Sequence, residues 1–179
     1  MALNSLADLY LYDLSEMLVA EKTIEQMLTT LAGKVQHEPL RQALEMHAQQ
    51  TRQHIQNLQE VFQILNAQPK ALTCYGLQGL RQGLDAIEEQ KPSPNVRDMA
   101  ILGAAEKVEH DEIAAYTTLL AQARLLREQQ VIDLLHQNLR QEEEMARRIQ
   151  SLTEQIGAAI LGGNPAAYGY QPGTHTPQP

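Results

Sequence analysis

The stretch Glu106–Tyr116, EKVEHDEIAAY, sets Glu106, Glu109, His110, Asp111 and Glu112 inside a segment whose apolar residues recur at helical spacing. Met99, Leu102, Ile113, Tyr116 and Leu120 mark that helix, and Glu109 stands near the centre of the face joining Leu102 to Tyr116. Glu106 and Glu112 flank it by one turn. A carboxylate taken out of water costs several kcal/mol unless it is paired, coordinated or protonated. The rest of the chain must therefore supply what balances this charge.

Outward from this segment, the same periodicity repeats. Leu3, Leu6, Tyr10, Leu14, Met17, Ile24, Leu28 and Leu31 define a first amphipathic helix ending near Gly33. A second begins around Pro39 and runs through Leu40, Leu44, Leu58, Phe62 and Leu65 to NAQPKA. A short third helix follows Thr73, which can cap it, and stops before KPSPN. Ser93 and Pro94 start the fourth, and Val131, Leu135, Leu139, Met145, Ile149, Leu152 and Ile156 mark the fifth. No strand-like alternation competes, so the spacing predicts an all-α fold. Four long helices of roughly 28 residues, each about 40 Å, suit a four-helix bundle of two antiparallel hairpins. The short helix then lies in the crossover. Residues 1–157 form the bundle, and 158–179, rich in Gly and Pro, are expected to be a flexible C-terminal tail.

Each long helix interrupts its apolar face with polar groups. Glu21 lies four residues beyond Met17 and three before Ile24, so it points inward with them. His47, Gln50, Thr51 and His54 share one sector of the second helix, and Glu142 falls between Leu139 and Met145 on the fifth. Residues equidistant from a hairpin turn stand at the same depth. With turns near Gln36 and Leu125 or Leu126, Glu21 faces position 51 and Glu109 faces Glu142. Inward carboxylates and imidazoles from four facing helices are the arrangement of carboxylate-bridged dinuclear metal sites. Two divalent cations would offset Glu21, Glu109, Glu112 and Glu142.

Composition excludes other classes. The formal net charge of −8 gives no basic footprint, so neither nucleic acid nor an anionic membrane is an expected partner. No apolar run reaches the roughly 18 residues of a membrane span. Cys74 is the single cysteine and no secretory signal is visible, which places the chain in a reducing cytoplasm. No glycine loop for phosphate is present.

The segments VAEKTIEQML, MHAQQTRQHIQNLQEVF, AAEKVEHDEIAAYTTL and LLHQNLRQEEE resemble successive motifs of the YciE/YciF family of stress-associated ferritin-like proteins, over roughly Leu3 to Leu152. The resemblance implies a ferritin-like bundle, a homodimer, and a dinuclear iron or manganese site. Carried over residue by residue, it assigns Glu21, His54, Glu109, His110, Glu112 and Glu142 to the family motifs. The family usually has an acidic residue where this chain has Gln50, and commonly an aspartate at Ala146. Gln50 offers only a neutral oxygen. The metal set is then Glu21, Gln50, His54, Glu109, Glu112 and Glu142, a mixed shell that accepts iron, manganese or zinc.

Plainer readings stand beside these. Taken alone, Glu106 and Glu112 read as boundary residues reaching water, His37 and His136 as surface residues, Tyr116 as core packing and Cys74 as an inert buried thiol. His110 lies about 100° around the helix from Glu109, which directs it to the surface or to a supporting position. Two functions remain open on the sequence: a ferritin-like metalloprotein reacting with oxygen or peroxide, and a structural or stress-interaction bundle whose inner acids pair with histidines or protons.

Overall fold

The computed structural model describes residues 3–162. It contains α1 (Leu6–Ala32), α2 (Glu38–Ile64), α3 (Tyr75–Glu89), α4 (Pro94–Leu126) and α5 (Gln129–Leu161). Among the described residues there is no strand. The all-α four-helix bundle is as the periodicity predicts, and its ferritin-like form is as the resemblance implies. Helices α1 and α2 form one antiparallel hairpin and α4 and α5 the other; α1 packs on α4 and α2 on α5. The order around the bundle is therefore α1, α2, α5, α4, with α3 laid on α4.

The helix ends follow local chemistry. Ser5 caps α1: its Oγ accepts from the Asp8 amide at 3.1 Å, and Asp8 in turn accepts from the Asn4 amide. Pro39 and Pro94 sit in the first turns of α2 and α4, where a missing amide proton costs nothing. Cys74, not Thr73, occupies the N-cap of α3, without a side-chain cap bond. Leu3 and Leu6, at the start of the first apolar stripe, are exposed. Helix α5 runs on to Leu161, beyond the composition change at Gly157. The rest of the expected tail, past Gly162, lies outside the described residues.

Buried Asp98, on the first turns of α4, ties the two hairpins together. It accepts from the backbone amides of Gln36 and His37 at 3.1 and 2.9 Å and meets His37 Nδ1 at 2.7 Å. His37 is thus a clamp between hairpins and not a free surface residue. The clamp also sets depth. His47 lies ten residues beyond His37, and Glu109 eleven beyond Asp98. At 1.5 Å per residue both stand about 15–17 Å from it.

Two apolar clusters fill the interior. One contains Ile24, Leu28, Leu44, Ile101, Leu102, Ile149 and Leu152. The other contains Tyr10, Leu14, Leu58, Phe62, Tyr116, Leu120 and Leu135. Between these clusters along the helices fall Glu21, His47, Thr51, His54, Glu109, Glu112 and Glu142, all buried.

Candidate metal centre

Each helix delivers its polar residues at spacings that keep them on the inner face. His47 and His54 are seven residues apart on α2, and Glu109 and Glu112 three apart on α4. Glu21 comes from α1 and Glu142 from α5. All six side chains are at most 2% exposed.

Their donor atoms gather in two sets. His47, Glu109, Glu112 and Glu142 offer one, and Glu21, His54 and Glu142 the other, the atoms in each lying within 4.8 Å of one another. Either set can hold a metal ion. Glu142 belongs to both. Its Oε1 lies 2.8 Å from His54 Nδ1 and its Oε2 3.7 Å from His47 Nε2. His54 Nδ1 also approaches Glu21 Oε1 at 3.3 Å, and His47 Nε2 approaches Glu109 Oε1 at 3.1 Å.

Close approach here is not hydrogen bonding. His54 Nδ1, both ring nitrogens of His47, and both oxygens of Glu112 and Glu142 are buried without a hydrogen-bond partner. So are Oε2 of Glu21 and Oε2 of Glu109. Buried polar atoms nearly always find partners, so this concentration of bare donors calls for an occupant. The atoms crowd a common space without aligning on one another, as ligands around a cation do. On this ground the residues fit the metal pair that the sequence suggests.

The surroundings hold these donors in place. His54 Nε2 lies 2.7 Å from Gln141 Oε1. Donation from that nitrogen to the amide oxygen orients the ring with Nδ1 toward Glu142 and Glu21, so that a cation displacing the Nδ1 proton would meet its lone pair. Tyr116 donates its hydroxyl proton to Glu21 Oε1, and Asn138 Nδ2 donates to that hydroxyl oxygen at 2.9 Å. Asn57 donates to Asn138 Oδ1 at 2.7 Å. Thr51 donates to the His47 carbonyl at 2.9 Å.

Electrostatics follow from burying acids together. Burial, aided by repulsion from Glu142 and Glu21, pushes the Glu112 pKa well above the usual carboxylate range. Burial lifts Glu109 to about 8, against opposing contributions from Glu142 and His54. Glu21 is raised by burial, with His54 and Tyr116 pulling it back. Burial lowers His47, which favours the neutral imidazole that binds metals. For His54 burial also opposes charge, but the Glu142 and Glu21 carboxylates prevail and lift it to about 10. Protons and cations thus compete for one pocket of negative charge.

Glu112 is buried, so the boundary reading fails for it, while Glu106 is half-buried and meets exposed His110 at 3.2 Å. Gln50 is half-buried beside His47, its Oε1 buried without a partner. Tyr116 does more than pack. Cys74 is half-buried and its pKa is raised, by burial first and then by Glu16 and Asp111, which keeps it a thiol. His136 accepts from Arg124 at 2.8 Å. Sequence reasoning noted His47 as a break in the apolar stripe without naming it a ligand, and passed over Asn138 altogether. Asn138 stands between Leu135 and Glu142 on the inner stripe of α5, a signal as strong as the one that exposed Glu142.

Fold and site define a class: a ferritin-like helical bundle with a buried histidine–carboxylate cluster at mid-height. The chain belongs to the family described as Domain of unknown function (DUF892), which matches residues 5–161. It is 32% identical over 144 residues to Protein YciF of Escherichia coli K12, covering 80% of this chain and 87% of that protein. The crystal structure of the E. coli stress protein YciF superposes with a TM-score of 0.82 at 30% identity, covering 86% of this chain and 98% of that one. YcfI from Rhodopseudomonas palustris matches with a TM-score of 0.79 at 30% identity, over 82% and 94%. Among the described residues no helix is long and apolar enough to cross a membrane.

Proposed function

We propose that the cluster is a dinuclear metal centre holding two divalent cations, iron or manganese, and that the protein uses it against dioxygen or peroxide as part of a stress response. The observation that carries this reading is Glu142, whose two oxygens face different histidines, at 2.8 and 3.7 Å. A carboxylate so placed would serve as a ligand common to both ions. Glu21 and His54 complete one site, and His47, Glu109 and Glu112 the other, with the neutral oxygen of Gln50 beside His47. Four carboxylates match the four positive charges of the pair.

When bound, a reduced pair supplies two electrons, taking dioxygen and two protons to hydrogen peroxide, or hydrogen peroxide and two protons to two waters. The protein's own residues prepare that chemistry. Gln141 orients His54, Tyr116 and Asn138 hold the Glu21 carboxylate, and the apolar clusters on either side keep bulk water from the layer. The same acids that hold the ions have raised affinities for protons, so the site also stores protons when the ions leave. The stress association of the relative supports the redox assignment.

Metal analysis tests the proposal. Protein loaded anaerobically with Fe(II) or Mn(II) should retain about two equivalents after desalting. At a hundredfold excess over Kd each ion adds about 2.7 kcal/mol, a rise in Tm of about 5–10 °C. Glu142→Ala should abolish both effects. Retention below about a tenth of an equivalent, with Glu21→Leu raising Tm regardless of metal, would establish the structural alternative instead.

A further inference from the structure

A small void adjoins the cluster on one side. Its walls include Leu28 of α1, Leu44 of α2, Leu84 of α3 and Val108 of α4, and its polar lining residues are His47 and Glu109. The volume open to a guest is about 30 Å³. About 10–15 Å³ suffices for one water, so the space suits a diatomic molecule or a single xenon atom better than a larger ligand. The space is partly open, but its walls are almost wholly apolar, which disfavours water and favours an apolar guest. His47 and Glu109 thus belong both to the wall of this void and to the donor set of the cluster.

We infer that this void is a binding site for dioxygen, seated against His47 and Glu109. It rests on the metal-centre reading for its purpose, but its occupancy by a gas does not depend on metal. Size and lining select the guest. Hydrogen peroxide fits the volume but would leave its hydrogen bonds behind on entering apolar walls, whereas dioxygen has none to lose. Dispersion contacts with close-packed side chains hold an apolar diatomic there better than water can. The small residues Ala104 and Ala105 on α4 leave the space that a larger side chain would fill. Leu80 and Leu84 on the crossover helix supply further wall, which gives α3 a task the bundle itself does not require.

Xenon reports such a site without any chemistry. A crystal of the full chain under xenon pressure should show one xenon between Leu44, Leu84 and Val108, with or without bound metal. Ala105→Leu should remove it, and Leu84→Ala should raise its occupancy. In anaerobically Fe(II)-loaded protein, Ala105→Leu should leave metal stoichiometry unchanged and slow oxidation by dioxygen about tenfold or more, as blocked access does. Oxidation by hydrogen peroxide should change far less. Absence of xenon in the wild type would overturn the site, and so would equal xenon occupancy in wild type and Ala105→Leu. Equal slowing of both oxidants would overturn the assignment to dioxygen. A protein that takes xenon but retains no metal would keep the gas site and refute the metal centre. One that retains metal but no xenon would do the reverse.

Discussion

Stripped of metal with a chelator, the protein should lose stability as pH rises from 5 to 8, and Glu109 should account for a full proton of that loss. In the folded chain burial holds the Glu109 pKa at about 8, against an ordinary value of 4.5. The folded state therefore keeps a proton that the unfolded state releases. A group with a raised folded pKa contributes its stability fully below the unfolded value and loses it as pH climbs to the folded one. The window is therefore pH 4.5 to 8. One proton held across that window is worth several kcal/mol at about 1.4 kcal/mol per pH unit, a sizeable part of the stability of a small domain. Urea denaturation in the presence of chelator, at unit steps from pH 5 to 8, measures it. Glu109→Gln cannot ionise, so its slope should be shallower by up to one proton, about 1.4 kcal/mol per pH unit. Saturating Mn(II) should flatten the wild-type profile. An unchanged slope in Glu109→Gln would refute the burial of an acid in this layer.

Other changes probe the frame around the layer. Tyr116→Phe removes the hydroxyl that donates to Glu21 and accepts from Asn138; it should cost about 1–3 kcal/mol in urea unfolding and weaken Mn(II) binding about tenfold in a titration. No change in either would mean that Tyr116 serves only to pack. Asp98→Ala strips the partner from the Gln36 and His37 amides and the His37 ring, and should lower stability by about 2–4 kcal/mol, seen as a fall of about 5–15 °C in Tm. Arg127 ends α4 in the left-handed region at φ 63°; Arg127→Gly should stabilise by about 0.5–1 kcal/mol, and a loss in chemical denaturation would show that the side chain is needed at that turn.

Much of this was open to a reader of the sequence because helices encode their own buried face. Leu14, Met17, Glu21 and Ile24 share one stripe by spacing alone, so Glu21 had to point inward whatever the partner helices did. Hairpin geometry then placed Glu109 level with Glu142, since residues at equal distance from a tight turn meet. Glu112 was harder. At three residues from Glu109 it lies off the centre of the stripe, and its burial depends on how α1 and α5 close over α4. His37 looked like surface because its partner, Asp98, is distant in the chain and belongs to the other hairpin.

The sequence by itself determined the helices, their inward faces and the common depth of the acids, because these depend on the fixed rise and twist of one helix and the length of one turn. Only the tertiary structure decided which oxygens face which nitrogens. It made Glu142 the residue common to both donor sets, brought His47 in as a donor, and linked Tyr116 and Asn138 to Glu21. Those outcomes depend on the rotation of each helix about its axis and the packing of one hairpin on the other, and no local spacing in a single chain segment specifies either.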